Sequence, residues 1–382
     1  MTKNKPLELY FHIPFCVRKC LYCDFLSAAH DKTVQDAYMN ALLNETAGRA
    51  KECAEYEVQT IFIGGGTPSV VDAAWIEKLL AVVREHFCMA EDAEISMEVN
   101  PGTVDLDKLL HYRRAGVNRL SIGLQSVSDE ELKTLGRIHT FSQFMDTYAW
   151  TAEAGFDNCN VDIMAALPGQ TMESYKETLA RVLALNPPPK HISAYSLIVE
   201  EGTPFAELNA QKKLCLPEEE TEREMYWDTY KGLMEAGYEH YEISNYAMPG
   251  YACRHNIGYW KRSDYLGFGI GAASLMENSR FSNESDLEKY IEAPLNCRGE
   301  LVCLTVEEQM EEFMFLGLRM IDGICVREFE EKFGEALWEV YGSVIDKNIR
   351  DGLLHMSKDG AYLALTERGI DISNYVLAQF LF

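Results

Sequence analysis

Cys16, Cys20 and Cys23 stand in the run Cys-Val-Arg-Lys-Cys-Leu-Tyr-Cys, a C-x3-C-x2-C triplet directly after an apolar stretch at 7–13. A [4Fe-4S] cluster takes one thiolate per iron, so three cysteines leave one iron open to bind a second molecule. The competing chemistry is structural zinc, with His12 or His30 completing three thiolates. Structural zinc usually draws on two separated ligand pairs, whereas one short loop holds all three cysteines here and no second pair is evident.

Gly64-Gly65-Gly66-Thr67-Pro68 is the next candidate. Without Cβ atoms, backbone groups can approach a ligand closely, although the same run could simply turn the chain into the following helix. Glu98 and Asp162 sit in otherwise apolar runs, where an unpaired carboxylate is costly to bury. A structural salt bridge would satisfy either one. At strand ends facing a common mouth, each could instead accept hydrogen bonds from ribose hydroxyls or an ammonium group, with Gln125 and Arg137 as complementary donors.

The elements that must position these residues alternate. Short β-rich runs at 7–13, 60–63, 95–99, 119–122, 160–164 and 191–197 are separated by helix-length amphipathic stretches at 34–50, 75–87, 106–115, 141–154, 174–185 and 218–236. Gly116, Gly155 and Gly237 stand as helix stops. Six strand–helix units predict an α/β fold with a parallel sheet, either doubly wound or a curved partial (β/α)6 barrel. In barrels the chemistry collects at the C-terminal strand ends, and the cysteine loop, the glycine run, Glu98, Gln125 and Asp162 all fall there.

Composition points to a soluble protein of 382 residues, with hydrophobic residues at 47% and charged residues at 25%. Such a balance is that of a globular chain with a sizeable core. The opening Met-Thr-Lys-Asn-Lys lacks a signal-peptide pattern and no apolar run reaches spanning length, so a cytoplasmic location with reduced thiols is expected. The remaining eight cysteines are scattered singly and read as small buried hydrophobes. A net charge of −25 and no run of five basic residues argue against a nucleic-acid partner.

Taken together, Tyr10-Phe-His-Ile-Pro-Phe-Cys16, the triplet with Tyr22, the glycine turn, Glu98-Val-Asn-Pro101, Ser121-Ile-Gly-Leu-Gln-Ser126 and Asp162-Ile-Met-Ala-Ala-Leu-Pro-Gly-Gln-Thr171 resemble the oxygen-independent coproporphyrinogen III oxidase group of the radical S-adenosylmethionine (SAM) superfamily. The resemblance implies the partial barrel, a cluster on Cys16, Cys20 and Cys23 with Tyr10 and Tyr22 beside it, and SAM held by Gly65, Gly66, Thr67 and Glu98. Gln125, Arg137 and Asp162 match residues that bind a second SAM in the oxidases. Two departures point away from porphyrinogen decarboxylation: only nine residues precede Tyr10, and Phe25 stands where the oxidases carry a further cysteine. Both favour the HemW-type haem chaperones, which bind haem and pass it to client haemoproteins. The oxidase itself, producing protoporphyrinogen IX, is the alternative.

His255-Asn-Ile-Gly-Tyr-Trp260 is similar to the H-N-x-x-Y-W haem motif of those chaperones, with His255 as iron ligand and Cys253 as its substitute. On the six residues alone, a satisfied histidine beside core aromatics is the better reading; the rest of the resemblance turns it toward haem. Residues 264–271 are glycine-rich and read as a close-packed turn, not a dinucleotide site. From Thr305, whose T-x-x-E box opens a helix, about three helices and a hairpin suggest a winged-helix-like module. Its fifteen acidic against seven basic residues disfavour DNA. The expected organisation is a barrel at 1–245, a connecting segment with the haem motif at 246–304, and the helical module at 305–382. A homodimer is compatible with the resemblance, and membrane-bound clients would be met by peripheral contact.

Overall fold

The computed structural model describes residues 4–382. Six parallel strands form its centre: β1 (Lys5–Ile13), β2 (Tyr56–Gly65), β3 (Met89–Val99), β4 (Arg119–Gln125), β5 (Asn158–Ala165) and β6 (His191–Ser196). Each is followed by a helix that returns the chain to the start of the next strand. The Leu106–Ala115 helix shows how its ends are set: Asp105 accepts the Lys108 N–H at 2.9 Å, and Gly116 closes the helix at φ 99°. These are the side-chain cap and the left-handed stop that a helix needs for its unpaired end groups. The curved sheet is left open, giving the partial (β/α)6 barrel.

Alternation along the strands decides what faces where. Leu7, Leu9, Phe11 and Ile13 of β1, with Ile61 and Ile63 of β2, are fully buried in the core shared with the helix residues Tyr38, Leu79 and Leu80. The intervening residues point into the barrel and are largely polar: Glu8, Tyr10 and His12 on β1, Thr60 on β2, Glu94, Ser96 and Glu98 on β3, Asn160 and Asp162 on β5. Several of them satisfy one another, as buried polar groups usually do. Asn160, for example, donates to Ser121 Oγ at 2.7 Å, and its side-chain carbonyl meets His191 Nδ1 at 2.7 Å.

The sheet does not end with β6. β7 (Glu239–Glu242) and β8 (Asn245–Ala247) add an antiparallel edge on one side. On the other, β9 (Tyr265–Phe268) runs parallel to β1, followed outward by β10 (Ala273–Met276), β11 (Ser279–Ser282) and β12 (Val302–Cys303). The glycine-rich segment at 264–271, expected as a turn, is strand over Tyr265–Phe268 and turns only after it. Its glycines do serve close packing, since a Cβ on Gly267 would meet the Ala273 carbonyl.

The C-terminal region forms its own core around Phe313, Met314, Phe329, Leu337, Tyr341 and Phe380. Its helices Val306–Gly317, Val326–Phe333 and Leu337–Arg350 pack on a small antiparallel sheet of β13 (Ile324–Cys325), β14 (Leu354–Met356) and β15 (Tyr362–Leu365), with β15 in the middle. The Thr305 capping box forms as its sequence predicts. Among the described residues, no helix is long and apolar enough to cross a membrane.

Candidate functional site

Above the C-terminal ends of β1–β6 lies a cavity of about 400 Å³. All of the predicted site residues line it except Tyr10 and His255. The cysteine loop is pinned at its base, where Cys16 N–H donates to Ala28 O at 3.0 Å and Ala28 N–H to Pro14 O at 2.9 Å. Its far side docks on the segment after β4, through Leu21 N–H to Leu135 O and Arg18 to Gly136 O. The unexpected Asp129–Thr134 helix positions that segment. The three thiols are half-buried and free, and burial pushes that of Cys23 up.

Two of these cysteines are joined by a chain of polar contacts. Cys16 Sγ lies 3.5 Å from Thr67 Oγ1, which accepts from Asn100 Nδ2 at 2.8 Å. Asn100 Oδ1 accepts from Arg137 at 2.8 Å, and the other nitrogen of that guanidinium stands 3.9 Å from Cys20 Sγ. A fixed positive charge thus faces a thiol that must be ionised to bind metal. Sequence reasoning missed Asn100 as a functional residue, although its position directly after a carboxylate-bearing strand was an available signal.

The glycine turn is committed on its donor side. Gly65 N–H goes to Glu98 Oε2 at 3.1 Å, Gly66 N–H to Ile13 O at 2.9 Å and Thr67 N–H to Phe15 O at 2.7 Å. What remains for a ligand is carbonyl oxygen, which suits an ammonium group. Gly65 holds φ 111°, and a Cβ on Gly66 would meet the Phe15 backbone. Residues without a Cβ therefore let the turn bring the cysteine loop against β2.

Glu98 is half-buried, and desolvation followed by the nearby Asp162 pushes its carboxyl up to about 8. Burial likewise raises Asp162, against hydrogen bonds from Asn160 and Ser193 that favour its ionised form. Two carboxyls sharing one pocket favour a cation there. Gln125 accepts from Tyr195 OH at 3.1 Å, rather than donating, and holds φ 71°. That is a strained value for a non-glycine residue, here at the rim of a site. Tyr10 lies below the cavity, its hydroxyl 3.0 Å from His12 Nδ1.

That pairing bears on zinc. His12 spends Nδ1 on Tyr10 and Nε2 on the Leu26 carbonyl at 2.8 Å, and His30 packs on Phe15 outside the cavity lining. Among the described residues, no three such ligands converge on one point. A single ion demands that convergence; a four-iron cluster, with three of its irons each taking one thiolate, spreads its ligands over separate metals. The donor set fits the cluster.

His255 is not brought to this cavity. It opens the short Arg254–Trp260 helix, which plugs the opposite, N-terminal end of the barrel. Its imidazole is 1% exposed and stacks on Phe62. Nδ1 meets Thr60 Oγ1 at 2.7 Å and Nε2 meets Tyr259 OH at 3.1 Å. Thr60 precedes Gly64 by four residues, roughly 13 Å along the strand at about 3.3 Å per residue. Burial and the Arg119 charge lower its pKa to about 3, so it is neutral and forms no ion pair with Glu8 at 3.7 Å. As folded, neither ring nitrogen is free to bind iron, and Cys253 is fully buried beside it. The cause is packing: His255 and Tyr259 face the barrel interior, where the polar inward residues of β1–β3 need partners.

Comparison with known proteins agrees with this architecture. The Radical SAM superfamily model matches residues 10–182, and the HemN C-terminal domain model residues 304–372. The heme chaperone HemW of Lactococcus lactis is 37% identical over 99% of this chain and 98% of its own length; that of Bacillus subtilis is 36% identical over 97% and 98%. That of Escherichia coli is 44% identical over 71% of each. Among solved structures, coproporphyrinogen III oxidase (HemN) from Escherichia coli, described as a radical SAM enzyme, superimposes with a TM-score of 0.85 over 99% of this chain and 90% of its own, at 26% identity.

Proposed function

This chain belongs to the HemW family of the radical SAM superfamily, and from that we propose that it is a cytoplasmic haem chaperone which carries a [4Fe-4S] cluster and SAM and passes haem to client haemoproteins. The observation that carries the cofactor part is the gathering of Cys16, Cys20 and Cys23 with the glycine turn, Glu98 and Asp162 around one cavity. Cys16, Cys20 and Cys23 would hold the cluster, while Glu98 and the Gly65–Gly66 carbonyls would take the cationic part of SAM. When bound, the pair would supply one-electron cleavage of a sulfonium C–S bond.

The protein's own part is positioning and exclusion of water. Arg137 and the Thr67–Asn100 link hold the cysteine loop, and Tyr22 and Tyr195 close the cavity walls. Phe25 supports the chaperone over the oxidase. It is 60% exposed at the cavity mouth and offers no ligand where the oxidases carry a thiol.

Anaerobic reconstitution followed by iron and sulfide analysis, SAM binding, haem titration and coproporphyrinogen turnover on one preparation tests this. A brown protein that binds SAM and haem without turnover is expected. Sustained formation of protoporphyrinogen IX would return the assignment to the oxidase.

A further inference from the structure

The cysteine loop is strung between two short helices that the strand–helix pattern does not announce, Asp129–Thr134 and Pro204–Ala210. Leu21, next to Cys20, is bonded toward both. Its N–H donates to Leu135 O at 3.0 Å, and its carbonyl accepts from Phe205 N–H at 3.1 Å. The side chains follow the backbone: Leu21 and Tyr22 pack on a small buried cluster of Leu135, Met164, Leu167, Leu197 and Phe205, separate from the main core. Arg18 adds bonds to the Gly136 and Arg137 carbonyls at 2.9 and 3.2 Å. Gly136 holds φ 78° and permits the close approach, since a Cβ there would stand 3.0 Å from Leu21 Cγ. Residues 135–137 are thus the shelf on which the middle of the loop rests, and the same shelf carries Arg137 to Cys20.

The shelf is the end of a helix of six residues, well short of the roughly 12–15 at which a helix becomes marginally stable by itself. Its place is therefore set by tertiary ties, and the polar ones meet at Glu131. This side chain is 8% exposed and lies outside the cavity lining. Its carboxylate accepts from Ser126 Oγ at 2.6 Å, from Gln170 Nε2 at 3.1 Å and from Ser174 Oγ at 2.6 Å. Ser126 directly follows β4, Gln170 belongs to the loop after β5, and Ser174 lies in the first turn of the Met172–Leu183 helix. Gln170 passes the constraint on, because its Oε1 accepts the Leu167 N–H at 3.1 Å and so fixes a residue of the cluster beneath the cysteine loop. One carboxylate joins two strand ends and a helix start to the segment that bears the loop. Its removal would leave these buried donors without their acceptor, a costly state.

We infer that Glu131 is a positioning residue for the [4Fe-4S] site: through residues 135–137 it sets where Leu21 stands, and with Leu21 the thiols of Cys20 and Cys23. The inference rests on the cluster reading above and names the residue that fixes the geometry of that site.

Two measurements on the full-length protein test it, one without the cluster and one with it. In metal-free protein, iodoacetamide labelling read by mass spectrometry should show Cys20 and Cys23 reacting roughly fivefold or more faster in Glu131→Ala than in wild type, with the exposed Cys88 and Cys303 unchanged. After anaerobic reconstitution, that variant should lose iron to a chelator about tenfold or more faster and give an altered electron paramagnetic resonance spectrum of the reduced cluster. Glu131→Gln keeps an acceptor for Gln170 and should return both readouts close to wild type. Gly136→Ala, which presses a Cβ on Leu21 without touching the carboxylate, should move both as Glu131→Ala does. Should Glu131→Ala fail to fold, Ser126→Ala removes one tie only and should move both in the same direction by a smaller factor.

Glu312→Ala is the control for general destabilisation. It removes a similarly buried carboxylate, bonded to Arg262 and Arg280 in the C-terminal region, and should lower the melting temperature while leaving both readouts as in wild type. Wild-type labelling and iron release in Glu131→Ala, or equal acceleration in Glu312→Ala, would overturn the assignment. A wild type that takes up no iron and sulfide would bring down the cluster reading, and labelling of the metal-free protein would still decide for or against Glu131.

Discussion

Glu8 offers a direct measure of how the barrel floor is built. Its carboxyl faces inward beneath the Arg254–Trp260 helix, with Oε2 lacking any hydrogen-bond partner. Burial, then the nearby Glu94, pushes its pKa from 4.5 up to about 9. A carboxyl raised in the folded state stabilises the fold fully below its unfolded value, and that contribution is lost as pH climbs toward the folded value. Here the window runs from 4.5 to about 9. At about 1.36 kcal/mol per unit, the whole shift sets a ceiling of roughly 6 kcal/mol. Glu8→Gln removes the titration while keeping the shape. Urea unfolding of both proteins, pH by pH, isolates the residue because every other group titrates in both. Near pH 5 the two should differ little, and the glutamine variant should gain roughly 1 kcal/mol on the wild type for each further unit up to about pH 8. Stability curves that stay parallel across that range would refute the neutral, desolvated Glu8 on which the reasoning depends.

Gly258→Ala places a Cβ against the Glu8 carboxyl. The overpacking should cost roughly 1–3 kcal/mol, a loss relieved in a Glu8→Ala background when both are measured by thermal unfolding. Asn100→Ala opens the link between Cys16 and Cys20. Reconstituted protein should then surrender iron to a chelator roughly tenfold or more faster, while its circular dichroism is retained. For Glu98, the folded pKa of about 8 means that only a minority is ionised at neutral pH. Cationic ligand affinity should therefore rise by up to about tenfold per pH unit until about pH 8, and Glu98→Gln should flatten that part of the profile in equilibrium SAM binding.

The short-range features of this chain were legible because they have short-range causes. Alternating strand and helix periods foretold six parallel units, and the ends of the predicted Leu106–Ala115 helix follow from Asp105 and Gly116 alone. The cysteine triplet, the glycine turn and Glu98 follow their strands closely, so any parallel barrel must carry them to one rim. Boundaries were less secure: β2 begins at Tyr56, four residues before the apolar run that announced it, because ladder pairing with β1 extends it through polar positions.

Long-range partners could not be read this way. Asn100 closes the link between two cysteines only because β3 ends beside the glycine turn and the Arg137 segment folds back across it. The haem motif shows the limit most clearly. Its residue types specify an imidazole and two aromatics, and sequence alone leaves open whether these meet iron or the core. In this fold they pack toward the core, because the inward residues of a barrel floor need polar partners. His255 and Tyr259 supply them.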